Sequence, residues 1–322
     1  MYRKFYGLTQ DPFEVSPDPF FYFPTPRHNE ALAILSYGIL RRKGFMVVTG
    51  EVGTGKTLLL RCLFEALTRN RVAFAFVYNP LLTIQEFLAH VLNDLGIPAT
   101  GRQKSEMLSL LNNYLLVRAR RGATTALIID EAQLLSLELL EEIRLLTNLE
   151  TSKYKLLQIV LVGQPELDHK LDSHELRQLK QRVCMRCNLE PLTLEELQGY
   201  LRRRLEIAGA NSHAPSILDG STIAAIHKYS RGIPRLANIL SENSLIAGYS
   251  RQTKQITPAI VAEVAADLRL NLAPPQTIGP NPDELKRPDN VLTGRSGVKN
   301  ERDVAAGKGT VLAPLNIGAK SE

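Results

Sequence analysis

The segment Gly50-Glu51-Val52-Gly53-Thr54-Gly55-Lys56-Thr57 has the spacing G-x-x-x-x-G-K-[ST] and follows directly on the apolar run Phe45-Met46-Val47-Val48-Thr49. Glycines at these positions let a backbone fold around phosphate oxygens, so that its N–H groups and the start of the next helix face the anion. Lys56 brings a point positive charge to the outer phosphates, and Thr57 offers a hydroxyl to Mg²⁺. A strand before the loop and a helix after it are the context this chemistry requires. Gly50, Glu51, Val52, Gly53, Thr54, Gly55, Lys56, Thr57 and Leu58 are therefore assigned to a bound nucleoside triphosphate, taken as ATP.

A phosphate loop by itself only binds. Hydrolysis also needs an oriented metal and an activated water, and Ala126-Leu127-Ile128-Ile129-Asp130-Glu131 has a residue for each. An apolar strand ending in Asp-Glu puts Asp130 at the carboxyl edge of a parallel sheet, beside the loop, to hold Mg²⁺ through its water shell. Glu131 is then placed to polarise the attacking water. A nucleotide-gated scaffold that barely turns over has no need of that second carboxylate, so an ATPase is expected. Cys184 and Cys187 form a C-x-x-C, a spacing that can hold zinc or cycle between redox states. No second pair accompanies them, and residues i and i+3 of a strand point to opposite faces. They are read as packing residues.

The elements that must position these groups follow from periodicity. Strands are predicted at 45–49, 73–78, 125–129, 156–162 and 183–189. Between them lie helices over about 27–42, from the phosphate loop to about 69, from Thr83 onward, and over about 104–121 and 136–149. Such alternation predicts an α/β fold, a parallel sheet covered by helices on both faces. After Pro191 only helical periodicity continues, at about 194–208, 221–230, 234–249 and 258–268. Thr83-Ile84-Gln85-Glu86 and Thr193-Leu194-Glu195-Glu196 have the pattern of capping boxes.

Four regions result. Residues 1–26 hold Phe5, Tyr6, Phe13, Phe20, Phe21, Tyr22 and Phe23 among Pro12, Pro17, Pro19, Pro24 and Pro26. Prolines rule out a long helix there, and rings are scarce in solvated arms. An extended segment packed on the core is expected, with a partner-docking peptide as the alternative. Residues 27–191 form the nucleotide-binding α/β domain and 192–270 a small helical unit. Residues 271–322, with six Pro and no apolar period, read as a disordered tail.

Composition bounds the class. At 44% hydrophobic and 22% charged, the 322 residues suit a globular protein. Apolar runs fall far short of the ~20 residues that span a bilayer, and the first residues lack the apolar core of a signal peptide. Three cysteines give no disulfide framework, and a cytoplasmic location is expected. A net charge of +6 permits an acidic partner without requiring one. The clusters Arg41-Arg42-Lys43, Arg118 to Arg121 and Arg202-Arg203-Arg204 fall in or late in predicted helices, where solvated cations also suit the helix dipole.

With the phosphate loop and Asp130-Glu131 in place, the chain resembles the AAA+ ATPases, and three later stretches strengthen the likeness. Gly232-Ile233-Pro234-Arg235 is similar to the family's second sensor, which implies that Arg235 reaches the γ-phosphate from a mobile helical lid. Gln164 stands where the first sensor belongs, in place of the more common Asn, Ser or Thr, and its amide can still orient water. The stretch from Leu176 to Val183 resembles the one carrying an arginine that completes a neighbouring subunit's site. Arg182 is the first choice for that role and Arg177 the reserve. The resemblance implies catalytic roles for Lys56, Glu131, Gln164, Arg182 and Arg235, and a ring or filament of like subunits. It also implies that Arg27 and His28 line the adenine pocket.

A closer resemblance covers about residues 1–270. Tyr2-x-x-Phe5-Tyr6-Gly7-Leu8, Pro12-Phe13, Ser16-Pro17-Asp18-Pro19 and His28-x-x-Ala31-Leu32 are similar to the secretion-pathway protein A group and to exosortase-associated ATPases of exopolysaccharide loci. Members of that group can carry a membrane span and a peptidoglycan-binding domain after the ATPase, and these 322 residues show neither pattern. The resemblance therefore implies a motor or switch acting on inner-membrane secretion or polysaccharide-export proteins through partners. A DNA-associated regulator of the transposition or replication-initiator type shares the same core and lid. No helix-turn-helix pattern follows the lid, however, and residues 271–322 hold seven Lys/Arg against six Asp/Glu. Nucleic acid is thus the less favoured partner.

Overall fold

The computed structural model describes residues 1–14, 21, 23–210 and 214–270. Its five strands are β1 (Phe45–Gly50), β2 (Ala73–Val77), β3 (Thr125–Ile129), β4 (Leu157–Gly163) and β5 (Val183–Leu189). They pair in parallel throughout, in the spatial order β2–β3–β4–β1–β5. In register, Thr49 lies opposite Gly163 and Ile129 opposite Leu161, so the carboxyl ends of β1, β3 and β4 emerge at nearly one level. The phosphate loop leaves β1 there, Asp130-Glu131 leave β3, and Gln164 leaves β4. In open α/β sheets this edge is where ligands bind.

Strand alternation divides the core into two layers. Phe45, Val47, Leu127, Ile129, Ile159 and Leu161 face one side, and Met46, Val48, Ala126, Ile128, Val160 and Val162 the other. The first side is covered by α4 (Ile84–Asp94), α5 (Lys104–Arg120) and α6 (Leu137–Leu146), through residues such as Phe87, Leu111 and Ile143. The second is covered by α2 (Pro26–Leu40) and α3 (Lys56–Arg69), through Leu35, Ile39, Leu59 and Leu63. Burial on both faces explains why β1, β3 and β4 read as largely apolar runs, whereas edge strand β5 alternates buried or half-buried with exposed residues. Each fully buried aliphatic side chain contributes about 1.5–3 kcal/mol. The platform beneath the site is thereby rigid.

Local signals set the helix starts. Thr25 caps α2 by accepting from the His28 N–H, with Pro26 at the first helical position. Thr83 and Glu86 form a complete capping box on α4, as do Thr193 and Glu196 on α9 (Leu194–Ile207). Short α7 (Glu166–Leu171) and α8 (Arg177–Lys180) between β4 and β5 lack enough turns to show periodicity in the sequence. The helix expected to run to residue 149 stops at Leu146.

After β5 come α9, α10 (Ala214–Ile217), α11 (Gly220–Ser230), α12 (Pro234–Ser250) and α13 (Pro258–Asp267), which share their own core. Tyr2, Tyr6, Leu8 and Phe13 join that helical core, not the sheet. The opening segment begins with a single short helix, α1 (Tyr2–Tyr6), and the Tyr6 hydroxyl donates to the Leu245 carbonyl at 3.1 Å. The expected tail at 271–322, Ser16-Pro17-Asp18-Pro19 of the opening motif, Phe20 and Tyr22 lie outside the described residues.

Candidate active site

Gly53 and Gly55 have φ of 84° and 99°, where side-chain-bearing residues are strained. Space forbids a side chain as well. A Cβ on Gly53 would stand 2.7 Å from Arg235 Cβ, and one on Gly55 2.9 Å from His28 Nε2. The loop is thus pressed between α12 on one side and α2 on the other. His28 Nε2–H donates to the Thr54 carbonyl at 3.0 Å, which leaves Nδ1 to accept from the Thr25 hydroxyl at 2.6 Å. Burial lowers the His28 pKa, so the ring is neutral in this clamp.

Lys56 donates to the carbonyls of Gly50 at 2.7 Å and Glu51 at 3.0 Å. Burial lowers its pKa, while the nearby carboxylates of Glu131 and Asp130 oppose that shift. Because backbone carbonyls hold this ammonium, a phosphate reaches it without breaking an ion pair. Asp130 is pushed above the usual carboxylate range, first by burial, and accepts from the Glu131 N–H at 2.9 Å. A buried carboxylate of this kind gains most from a cation. Among the described residues no cluster of three acidic, His or Cys side chains could hold a metal unaided. Thr57 and Asp130 fit Mg²⁺ that takes its remaining ligands from phosphate and water.

Glu131 has φ 49° and ψ 37°, a left-handed conformation unusual for such a residue. Its Oε2 accepts from Gln133 Nε2 at 2.6 Å and from Gln164 Nε2 at 3.3 Å. Gln164 therefore meets Glu131 across the carboxyl ends of β3 and β4. Gln133 is absent from the sequence reading, because an Asp-Glu pair draws attention to its carboxylates and not to an amide two residues on.

Arg235 is the second residue of α12, and its N–H donates to the Gly53 carbonyl at 3.3 Å, which ties the helical unit to the loop. Its exposed side chain opens on the same cavity as Lys56, Thr57 and Glu131. That cavity holds about 300 Å³. It is also lined by three aromatic residues, Phe21, Phe23 and Tyr200, and by Arg204, none of which the motifs of the sequence single out for the site. Arg204, expected to be solvated, is buried. Its guanidinium donates to Pro12 O at 2.5 Å and to the Tyr200 hydroxyl at 2.8 Å, and stacks 4.6 Å from the Phe21 ring centre. His28 lines the cavity, whereas Arg27 pairs with Glu190 at 2.5 Å.

The two arginines considered for a neighbour's site differ. Arg182 Nη1 donates to Arg144 O at 3.1 Å, to Asn148 Oδ1 at 2.6 Å and to the Thr147 hydroxyl. These groups close the end of α6, where carbonyls lack helical partners, so Arg182 serves its own chain here. Arg177 is exposed on α8. Cys184 is exposed and Cys187 buried, on opposite faces of β5.

A parallel sheet with a glycine-rich loop after β1, an Asp-Glu pair after β3 and a helical unit resting on the loop defines a P-loop ATPase of the AAA+ class. Residues 39–171 match the AAA domain family. The chain is 39% identical to general secretion pathway protein A of Aeromonas hydrophila over 269 residues, which are 83% of this chain and 48% of that protein. Residues 39–171 thus carry an AAA domain, and the chain is similar to general secretion pathway protein A over those 269 residues. It spans about half the length of that relative. In fold it is similar to Cdc6p of Pyrobaculum aerophilum, with a TM-score of 0.59 at 22% identity over 81% of this chain and 71% of the other. It is also similar to the ORC2 protein of Aeropyrum pernix in its ADPNP-ADP complexes, with a TM-score of 0.56 at 16% identity, over 78% and 72%.

Proposed function

We propose that this chain is a Mg²⁺-dependent ATPase whose cycle drives assembly or operation of a cell-envelope secretion or exopolysaccharide-export system. One observation carries the chemistry: Lys56, Glu131 and Arg235 come from three separate elements and line one cavity. In this reading the loop N–H groups and Lys56 bind the phosphates, and Thr57 and Asp130 hold Mg²⁺. The metal supplies charge neutralisation at the phosphates when bound. Glu131 polarises the attacking water, with Gln164 orienting its carboxylate. Arg235 stabilises charge on the transferring group and links its loss to movement of the helical unit.

The envelope role rests on likeness to general secretion pathway protein A. No helix among the described residues is long and apolar enough to cross a membrane, and inner-membrane secretion or export proteins are the partners of this reading. Subunits act together as a ring or filament on the cytoplasmic side, with Arg182 and, in reserve, exposed Arg177 as the residues that complete a neighbour's site. To test this, hydrolysis is followed with Mg²⁺ and with EDTA. Detergent-solubilised membranes are then probed with Glu131→Gln protein under ATP and under ADP. Turnover only with Mg²⁺, and ATP-dependent capture of named secretion or export components, is expected. Equal turnover in EDTA, or equal capture under both nucleotides, contradicts the proposal.

A further inference from the structure

Gln133 makes two side-chain contacts that join the two strand ends bearing the chemistry, and a backbone contact to α7. Its Nε2 donates to Glu131 Oε2 at 2.6 Å, its Oε1 accepts from the Gln164 backbone N–H at 3.0 Å, and its carbonyl accepts from Lys170 Nζ at 3.0 Å. The amide lies across the end of β4 because Gly163 has no side chain. A Cβ there would stand 2.8 Å from Gln133 Oε1. Both ends of the amide are therefore used, and the donor end faces the carboxylate.

We infer that Gln133 is a positioning residue that holds Glu131 with one carboxylate oxygen engaged and the other left to meet water. The inference rests on reading Glu131 as the group that activates water. Glu131 has a left-handed backbone conformation, and such conformations persist only where surrounding contacts over-determine them. A carboxylate on a freely rotating side chain would spread over many orientations, and a general base must lie within hydrogen-bond reach of its proton. The short bond from Gln133 narrows that spread. Its second bond, to the Gln164 N–H, fixes the same amide to β4, so the first-sensor residue and Glu131 are set by one side chain.

Two substitutions separate positioning from mere support. Gln133→Met keeps length and loses both polar contacts. Gln133→Glu keeps an acceptor for the Gln164 N–H but turns a carboxylate toward Glu131. Both variants are expected to lower kcat by about 10-fold or more, equivalent to ~1.4 kcal/mol, with KM and the Kd for ATP within about twofold of wild type. Wild-type kcat in Gln133→Glu would show that only the bond to β4 matters and would overturn the inference. Loss of ATP binding in both variants, with kcat of the bound fraction unchanged, would also overturn it. The underlying reading is judged separately by Glu131→Gln: wild-type turnover there removes the role of Glu131 whatever Gln133 does.

Discussion

His28 couples the phosphate loop to the helix before β1, and its chemistry predicts a pH effect. The ring is buried and neutral, held between the Thr25 hydroxyl and the Thr54 carbonyl. Because folding lowers its pKa, the unfolded chain binds more protons below about pH 6.5. The stability tied to this site is complete above that pH and is lost as pH falls toward the folded-state value. Thermal unfolding of wild type is expected to shift downward between pH 7.5 and 5.5, and His28→Ala, though less stable, to shift less. Equal shifts in the two proteins would remove His28 as the source. At this scale legibility was uneven. Gly50 to Thr57 and Asp130-Glu131 are contiguous, so their chemistry shows in the sequence. The clamp by His28 and the bridge by Gln133 depend on contacts between residues that strand order brings together. Arg182 has the residue type for a neighbour's site, yet its guanidinium closes the end of α6.

Among the elements, the joint between the opening segment and the helical unit is the least expected. Arg204 is the third of three consecutive arginines, and nothing local distinguishes it from Arg202 and Arg203. It alone is buried, because α9 turns Leu197, Leu201 and Leu205 inward and carries Arg204 with them. Its bonds to the Pro12 and Glu14 carbonyls fasten the opening segment over the cavity. Arg204→Leu leaves those carbonyls without their donor, at a cost of about 2–3 kcal/mol. Melting should fall by roughly 5–10 °C, with earlier proteolytic cleavage near residue 12. Arg203→Leu, at an exposed position of the same helix, should change stability by less than about 0.5 kcal/mol. Equal losses in the two variants would show that the joint carries no special energy. The central strands β1, β3 and β4, in contrast, show as largely apolar runs, since burial on both faces leaves little room for polar residues.

At the scale of the whole molecule, the carboxyl edge of the sheet positions Lys56 and Glu131, while Arg235 arrives on α12, whose first turn packs against Gly53 and donates to its carbonyl at 3.3 Å. A loop carried by the sheet and a helical unit packed on it are the two parts a nucleotide cycle needs. Binding and turnover should then be separable by single residues. The most direct measurement is ATP binding and hydrolysis on three proteins side by side: wild type, Lys56→Ala and Glu131→Gln. Lys56→Ala is expected to lose binding, and Glu131→Gln to bind ATP within a fewfold of wild type while its turnover falls by at least about 100-fold, or ~2.7 kcal/mol. Turnover by Glu131→Gln equal to wild type would contradict the catalytic role of Glu131.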